Sequence, residues 1–215
     1  MSVRVAIIDS GVNPAHPHVG GVAGGARIGA RAESDDYLDY LGHGTAVAGA
    51  IREKAPRAEL FAVKVFDHAL RTSIDRLLRA IEWAAARRVQ LINLSLATKN
   101  PAHRGRLEEA VAQARAAGAV LIAPHGTLDG GFLAVEVDWE CPREQFRRTI
   151  GGGRERLFAS GYPRPIPGRP AEANLSGISF AVANMTGFAA RACEGLDCVT
   201  LESVQARLAS SGKTA

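Results

Sequence analysis

Three short runs bring together the residue types of nucleophilic catalysis. Ile7-Ile8-Asp9-Ser10-Gly11 ends an apolar stretch in a carboxylate. Gly42-His43-Gly44-Thr45-Ala46-Val47-Ala48-Gly49 sets a histidine among glycines. Leu175-Ser176-Gly177-Ile178-Ser179-Phe180-Ala181 places a serine where a small-residue segment begins. A serine hydroxyl becomes a nucleophile when a base takes its proton, and an acid must hold that base in the right tautomer. Asp9, His43 and Ser179 could fill the three roles in that chain order. Each also has a plainer reading alone. An Asp after a strand is often a turn or cap, a lone His is more often structural, and a Ser at a helix start is usually an N-cap. Only the combination points to acyl transfer.

The elements that must position these groups follow from hydrophobic pattern. Residues 3–8 read as a buried parallel strand, ended by the turn signals Ser10-Gly11 and Asn13-Pro14. A small-residue helix is predicted over 46–54, directly after His43, and a strand over 59–65. Ile74, Leu77, Leu78, Ile81 and Trp83 recur at helical spacing within 73–88. Strands at 91–96 and 119–123 bracket an amphipathic helix over 106–117 that stops at Gly118. From 130 to 175 the pattern weakens to one strand, at 132–137, among long loops. The last helices are predicted over 179–193 and 201–209. The glycines at 20–25 fit no phosphate-binding motif and read as a hairpin or loose loop. Alternating strands and helices give one α/β domain over 1–215: a doubly wound parallel sheet with helices on both faces.

Composition narrows the function classes. With 215 residues, 47% of them hydrophobic and 22% charged, the chain can bury a sizeable core. The net charge of +4 is spread along the chain without a run of five like charges, which argues against nucleic acid as a partner. No apolar stretch approaches the length of a membrane span, so no membrane partner is expected. The N-terminus shows no basic and apolar signal regions, and Cys141, Cys193 and Cys198 are an odd count. Both features lead us to expect a reduced, cytoplasmic protein, although Cys193 and Cys198 are close enough to pair if oxidised. Asp35, Asp36 and Asp39 read as a solvated acidic patch. No metal and no cofactor is expected.

On these motifs the chain resembles the subtilisin-like serine proteases (subtilases, peptidase S8 type) over nearly its whole length. Asp9 lies in the family's Asp-Ser/Thr-Gly motif and His43 in its His-Gly-Thr-x-Val-Ala-Gly motif. Ser179 matches Gly-Thr-Ser-Met-Ala, altered here to Gly177-Ile178-Ser179-Phe180-Ala181. Val63-Lys64-Val65, Ile81-Glu82-Trp83-Ala84 and Ile92-Asn93-Leu94-Ser95-Leu96 also fall in family order. The resemblance implies a compact three-layer fold, with Asp9 orienting His43, His43 as general base and Ser179 as nucleophile. Ser179 at a helix N-terminus would also offer a backbone N–H to the oxyanion.

Three departures stand out. The family's oxyanion Asn is absent from Ala123-Pro124-His125-Gly126-Thr127, where Thr127 aligns with it and His125 lies close by. The family's Pro and His after the nucleophile are Ala183 and Asn184. The chain is also shorter than usual for the family's catalytic domains. The resemblance places an extended peptide substrate between Ser95-Leu96-Ala97 and Leu70-Arg71-Thr72, paired through its backbone. The expected activity is an intracellular endopeptidase that removes a leader peptide from one precursor protein, with its oligomeric state left open. A peptide-binding pseudoprotease and a transpeptidase remain as alternatives.

Overall fold

The computed structural model describes residues 2–96, 100–151, 154–168, 170, 173–211 and 213–214. Strand β1 (Arg4–Asp9) is buried from Val5 to Asp9 and lies in the middle of the sheet. A strand covered on both faces must be a near-continuous apolar run, which is what residues 5–8 supply. Its neighbours are β4 (Glu59–Lys64) and β5 (Leu91–Leu94), both parallel to it, and Asp9 stands opposite Lys64.

Beyond β5 the sheet continues through β6 (Val120–Pro124), β7 (Leu133–Val137), β9 (Arg154–Ala159) and β8 (Phe146–Gly151) to β10 (Lys213–Thr214). Beyond β4 it adds β2 (Gly24–Ile28) and β3 (Glu33–Ser34). Pairing is parallel from β2 across to β9 and antiparallel in β2–β3 and β8–β9.

Successive side chains of β1 point to opposite layers. Val5 and Ile7 join a core with α1 (His43–Lys54), α4 (Ile178–Ala192) and α5 (Leu201–Ser211). Ala6 and Ile8 join the other, with α2 (Ile74–Ala86) and α3 (Arg104–Ala116). The expected doubly wound, three-layer α/β architecture is the one observed. Among the described residues no helix is long and apolar enough to cross a membrane.

Two segments need comment. Of the two expected readings of the glycine-rich stretch, the hairpin is the one formed: its end enters β2 (residues 24–28), which turns back antiparallel onto β3 and also pairs parallel with β4. A Cβ on Gly25 would lie 2.5 Å from the Ala62 carbonyl oxygen and 2.7 Å from the Tyr37 ring, so glycine here serves close strand packing. The region after 137 is not all loop either. Residues 146–151 and 154–159 pair as antiparallel strands that bury Phe146, Leu157 and Ala159 while exposing Arg147 and Ile150. Charged residues along a sheet margin blunt unwanted pairing, and they also hide the strand pattern from a hydrophobicity reading. The cysteines are free, so Cys193 and Cys198 do not pair. Burial pushes the Cys193 thiol up to about 11.

Helices α1 and α4 touch closely at Gly187, where a Cβ would stand 2.9 Å from Lys54 Cβ and 3.1 Å from the Ile51 carbonyl oxygen. Gly187→Ala should therefore force the two helices apart. The expected loss is about 1–3 kcal/mol of unfolding free energy, read from urea denaturation midpoints.

Candidate active site

Asp9 ends β1 at the carboxyl edge of the sheet and has no exposed surface. His43 opens α1 beside it, and its Nδ1 lies 2.7 Å from Asp9 Oδ1. The Ser10 backbone N–H donates to the same oxygen at 2.8 Å. With Nδ1 carrying the proton toward the carboxylate, Nε2 is left as the basic nitrogen. Burial alone would push the imidazolium down. The Asp9 hydrogen bond and charge, with the charge of Asp39, outweigh it and hold His43 above its ordinary 6.5.

The start of α1 is capped from outside the helix. Gly42 precedes it in the left-handed region, at φ +79°, and offers no side-chain cap. Instead the Gly44 N–H donates to Ser10 Oγ at 2.9 Å and the Thr45 N–H to Asp39 Oδ2 at 2.9 Å. These are donors that a helix terminus leaves unpaired. Position 44 must be glycine, because a Cβ there would sit 2.1 Å from the Gly11 carbonyl oxygen. Asp39 is therefore not part of a solvated acidic patch. Asp35 and Asp36 are exposed, while Asp39 turns both oxygens inward onto the helix start.

Ser179 is the second residue of α4, after Gly177 at φ +142°. Its hydroxyl donates to the Ser95 carbonyl at 3.2 Å, and no hydrogen bond joins it to His43 among the described residues. The next residue, Phe180, packs its buried ring 5.4 Å from the imidazole, centroid to centroid. A buried polar chain stands behind Ser95. Thr186 Oγ1 meets Asn93 Oδ1 at 2.9 Å, and Asn93 Nδ2 donates to Ser95 Oγ at 2.9 Å. This Asn93–Thr186 pair had no signal in the sequence beyond two polar residues inside apolar segments.

Thr127 is buried, and its hydroxyl donates to the Pro124 carbonyl at 2.7 Å, closing the turn after β6. His125 is exposed, with Nδ1 3.9 Å from Glu136. Ala183 is buried in α4. Asn184 donates to the carbonyls of Ser160 at 2.8 Å and Tyr162 at 3.0 Å, pinning the chain that leads back toward the serine loop. Ser95 and Leu96 follow β5, half-buried. Leu70 and Arg71 are exposed and Thr72 half-buried, all between β4 and α2. Ala97 lies outside the described residues. No group of three His, Cys, Asp or Glu among the described residues could hold a metal ion.

The family model for subtilases, peptidase S8, matches residues 1–133. Subtilisin of Bacillus pumilus is 35% identical over 203 residues, which cover 87% of this chain and 72% of that protein. The chain belongs to the subtilase family. Subtilisin E of Bacillus subtilis (strain 168) is 36% identical over the same length, with 87% of this chain and 52% of its own sequence covered. The minor extracellular protease Epr of the same organism is 34% identical over 139 residues, 60% of this chain and 21% of its own. The chain thus spans about half the length, or less, of these last two relatives. The crystal structure of a cold adapted subtilisin-like serine proteinase superposes with a TM-score of 0.73 at 20% identity. The match covers 97% of this chain and 81% of that one, and it shows the same fold.

In this subtilase the direction of the His43 shift can be checked without turnover. His43 should titrate above 6.5 by NMR in the parent. Asp9→Asn removes the largest raising influence and leaves burial, the strongest of the causes, against only the Asp39 charge, so its midpoint should fall below 6.5.

Proposed function

We propose that this subtilase is a serine endopeptidase that cleaves through an acyl-enzyme on Ser179. The observation that carries the reading is the 2.7 Å bond from His43 Nδ1 to a fully buried Asp9, beside the helix start that bears Ser179. Asp9 fixes the tautomer and stabilises the imidazolium. His43 Nε2 takes the hydroxyl proton once Ser179 turns away from Ser95, then returns it to the leaving amine. The Ser179 N–H, at the second position of α4, is free of an intrahelical acceptor and faces the developing oxyanion. Thr127 supplies the second donor by exchanging its bond to Pro124. Losing an oxyanion donor costs roughly 10²–10³ in turnover, so a borrowed one suits a slow enzyme.

A slow enzyme suits a dedicated task. The substrate is a precursor protein whose leader peptide lies extended between Ser95–Leu96 and Leu70–Thr72. A candidate of this kind is the precursor of the small crosslinked subunit of quinohemoprotein amine dehydrogenase. Free thiols at Cys141, Cys193 and Cys198 favour a reducing, cytoplasmic setting.

Mass spectrometry of leader-bearing precursors incubated with the protein, and with Ser179→Ala, tests this. One defined cut, lost in the variant, is the expected result. Binding without a cut would instead identify a peptide-binding pseudoprotease, and product masses that incorporate an added amine would identify a transpeptidase.

A further inference from the structure

Asp39 receives five hydrogen bonds from two separate pieces of the molecule. Its Oδ1 accepts the N–H groups of Leu41 and Gly42 and the hydroxyl of Ser10, each at 2.9 Å. Its Oδ2 accepts the Thr45 N–H at 2.9 Å and the Thr45 hydroxyl at 2.6 Å. Ser10 follows Asp9 directly, and its Oγ in turn accepts the Gly44 N–H at 2.9 Å. The loop after the buried carboxylate and the first turn of the His43 helix are thus tied to one anion.

We propose that Asp39 is a positioning residue of the Asp9–His43 pair, holding the strand end and the helix start in register. A carboxylate is needed for this, since every partner is a donor. An amide would turn one acceptor into a donor facing either Thr45 or the Ser10, Leu41 and Gly42 group. Asp39 also acts on His43 through its charge.

The charged groups that raise His43 are Asp9 from β1 and Asp39 from the loop before α1, while α4 contributes the uncharged Phe180 ring. Lys64 from β4 is engaged elsewhere in that loop. Its ammonium donates to the Leu38 carbonyl at 2.6 Å and stands 3.8 Å from Asp36. The proposed peptidase reading enters only through the kinetic half of the test.

The first measurement is the His43 titration by NMR in a Ser179→Ala background, where no turnover is needed. Asp39→Asn should remain folded by circular dichroism and move the midpoint measurably down. Asp36→Asn, which removes an exposed charge of the same loop, should leave it in place. In the active chain Asp39→Asn should lower kcat roughly 10- to 100-fold with KM little changed, and shift the acid limb of the pH profile down. Asp39→Glu keeps the charge but not all five bonds, so it should retain the raised titration while kcat falls severalfold. It also stands in if Asp39→Asn does not fold. A folded Asp39→Asn with an unchanged His43 midpoint would make Asp39 a helix cap alone and overturn the proposal, as would parental kcat in Asp39→Glu. If the parent cleaves nothing, the peptidase reading fails while the titration still decides the role of Asp39.

Discussion

A carboxylate buried without any exposed surface is expensive unless its charge is met, and Asp9 is placed in that position at the end of the central strand. Its Oδ1 is met by the His43 ring and the Ser10 N–H, while Oδ2 has no hydrogen-bond partner among the described residues. The pairing with His43 is thus the condition under which the charge can stay inside. Everything nearby limits how far that pair can drift. Strand β4 holds Asp9 in register opposite Lys64, β5 holds the preceding Ile8, and the Gly44 backbone lies so close to Gly11 that no side chain fits between them.

The serine side is supported by different means. Ser179 rides on a helix that is buried along most of its length, and the apolar contacts of that helix run to α1, the sheet and α5. Polar groups set the fine position. Thr186 and Asn93 fix Ser95, and the Ser95 carbonyl accepts the hydroxyl of Ser179.

Much of this was legible in the residues. The parallel strands declared themselves as apolar runs, and Asp9, His43 and Ser179 by their glycine-rich surroundings. What stayed hidden depended on partners distant in sequence. Asp39 sits among Asp35, Asp36 and Tyr40 and reads as surface, because nothing local reveals that Ser10 and Thr45 point at it. Thr127 stands where the family's Asn is expected, yet its hydroxyl closes its own turn, a choice that depends on rotamer and not on residue type. Strand β2 was obscured by glycines whose purpose is close approach to β4, and the β8–β9 pair by arginines on its solvent side. In each case a hydrophobicity pattern was blurred by a residue serving a neighbour.

The tight contact at Gly187 separates two design problems. Helix α1 carries His43 at its first residue and α4 carries Ser179 at its second, and the spacing of the helices is set deep in the domain, where backbone meets glycine. The loops after β4 and β5, where the proposed peptide substrate would lie, take no part in that contact. On that proposal their sequences are free to diversify toward new peptide partners while Asp9, His43 and Ser179 keep a common gauge. In such a layout substrate preference and chemical competence can evolve along nearly independent axes.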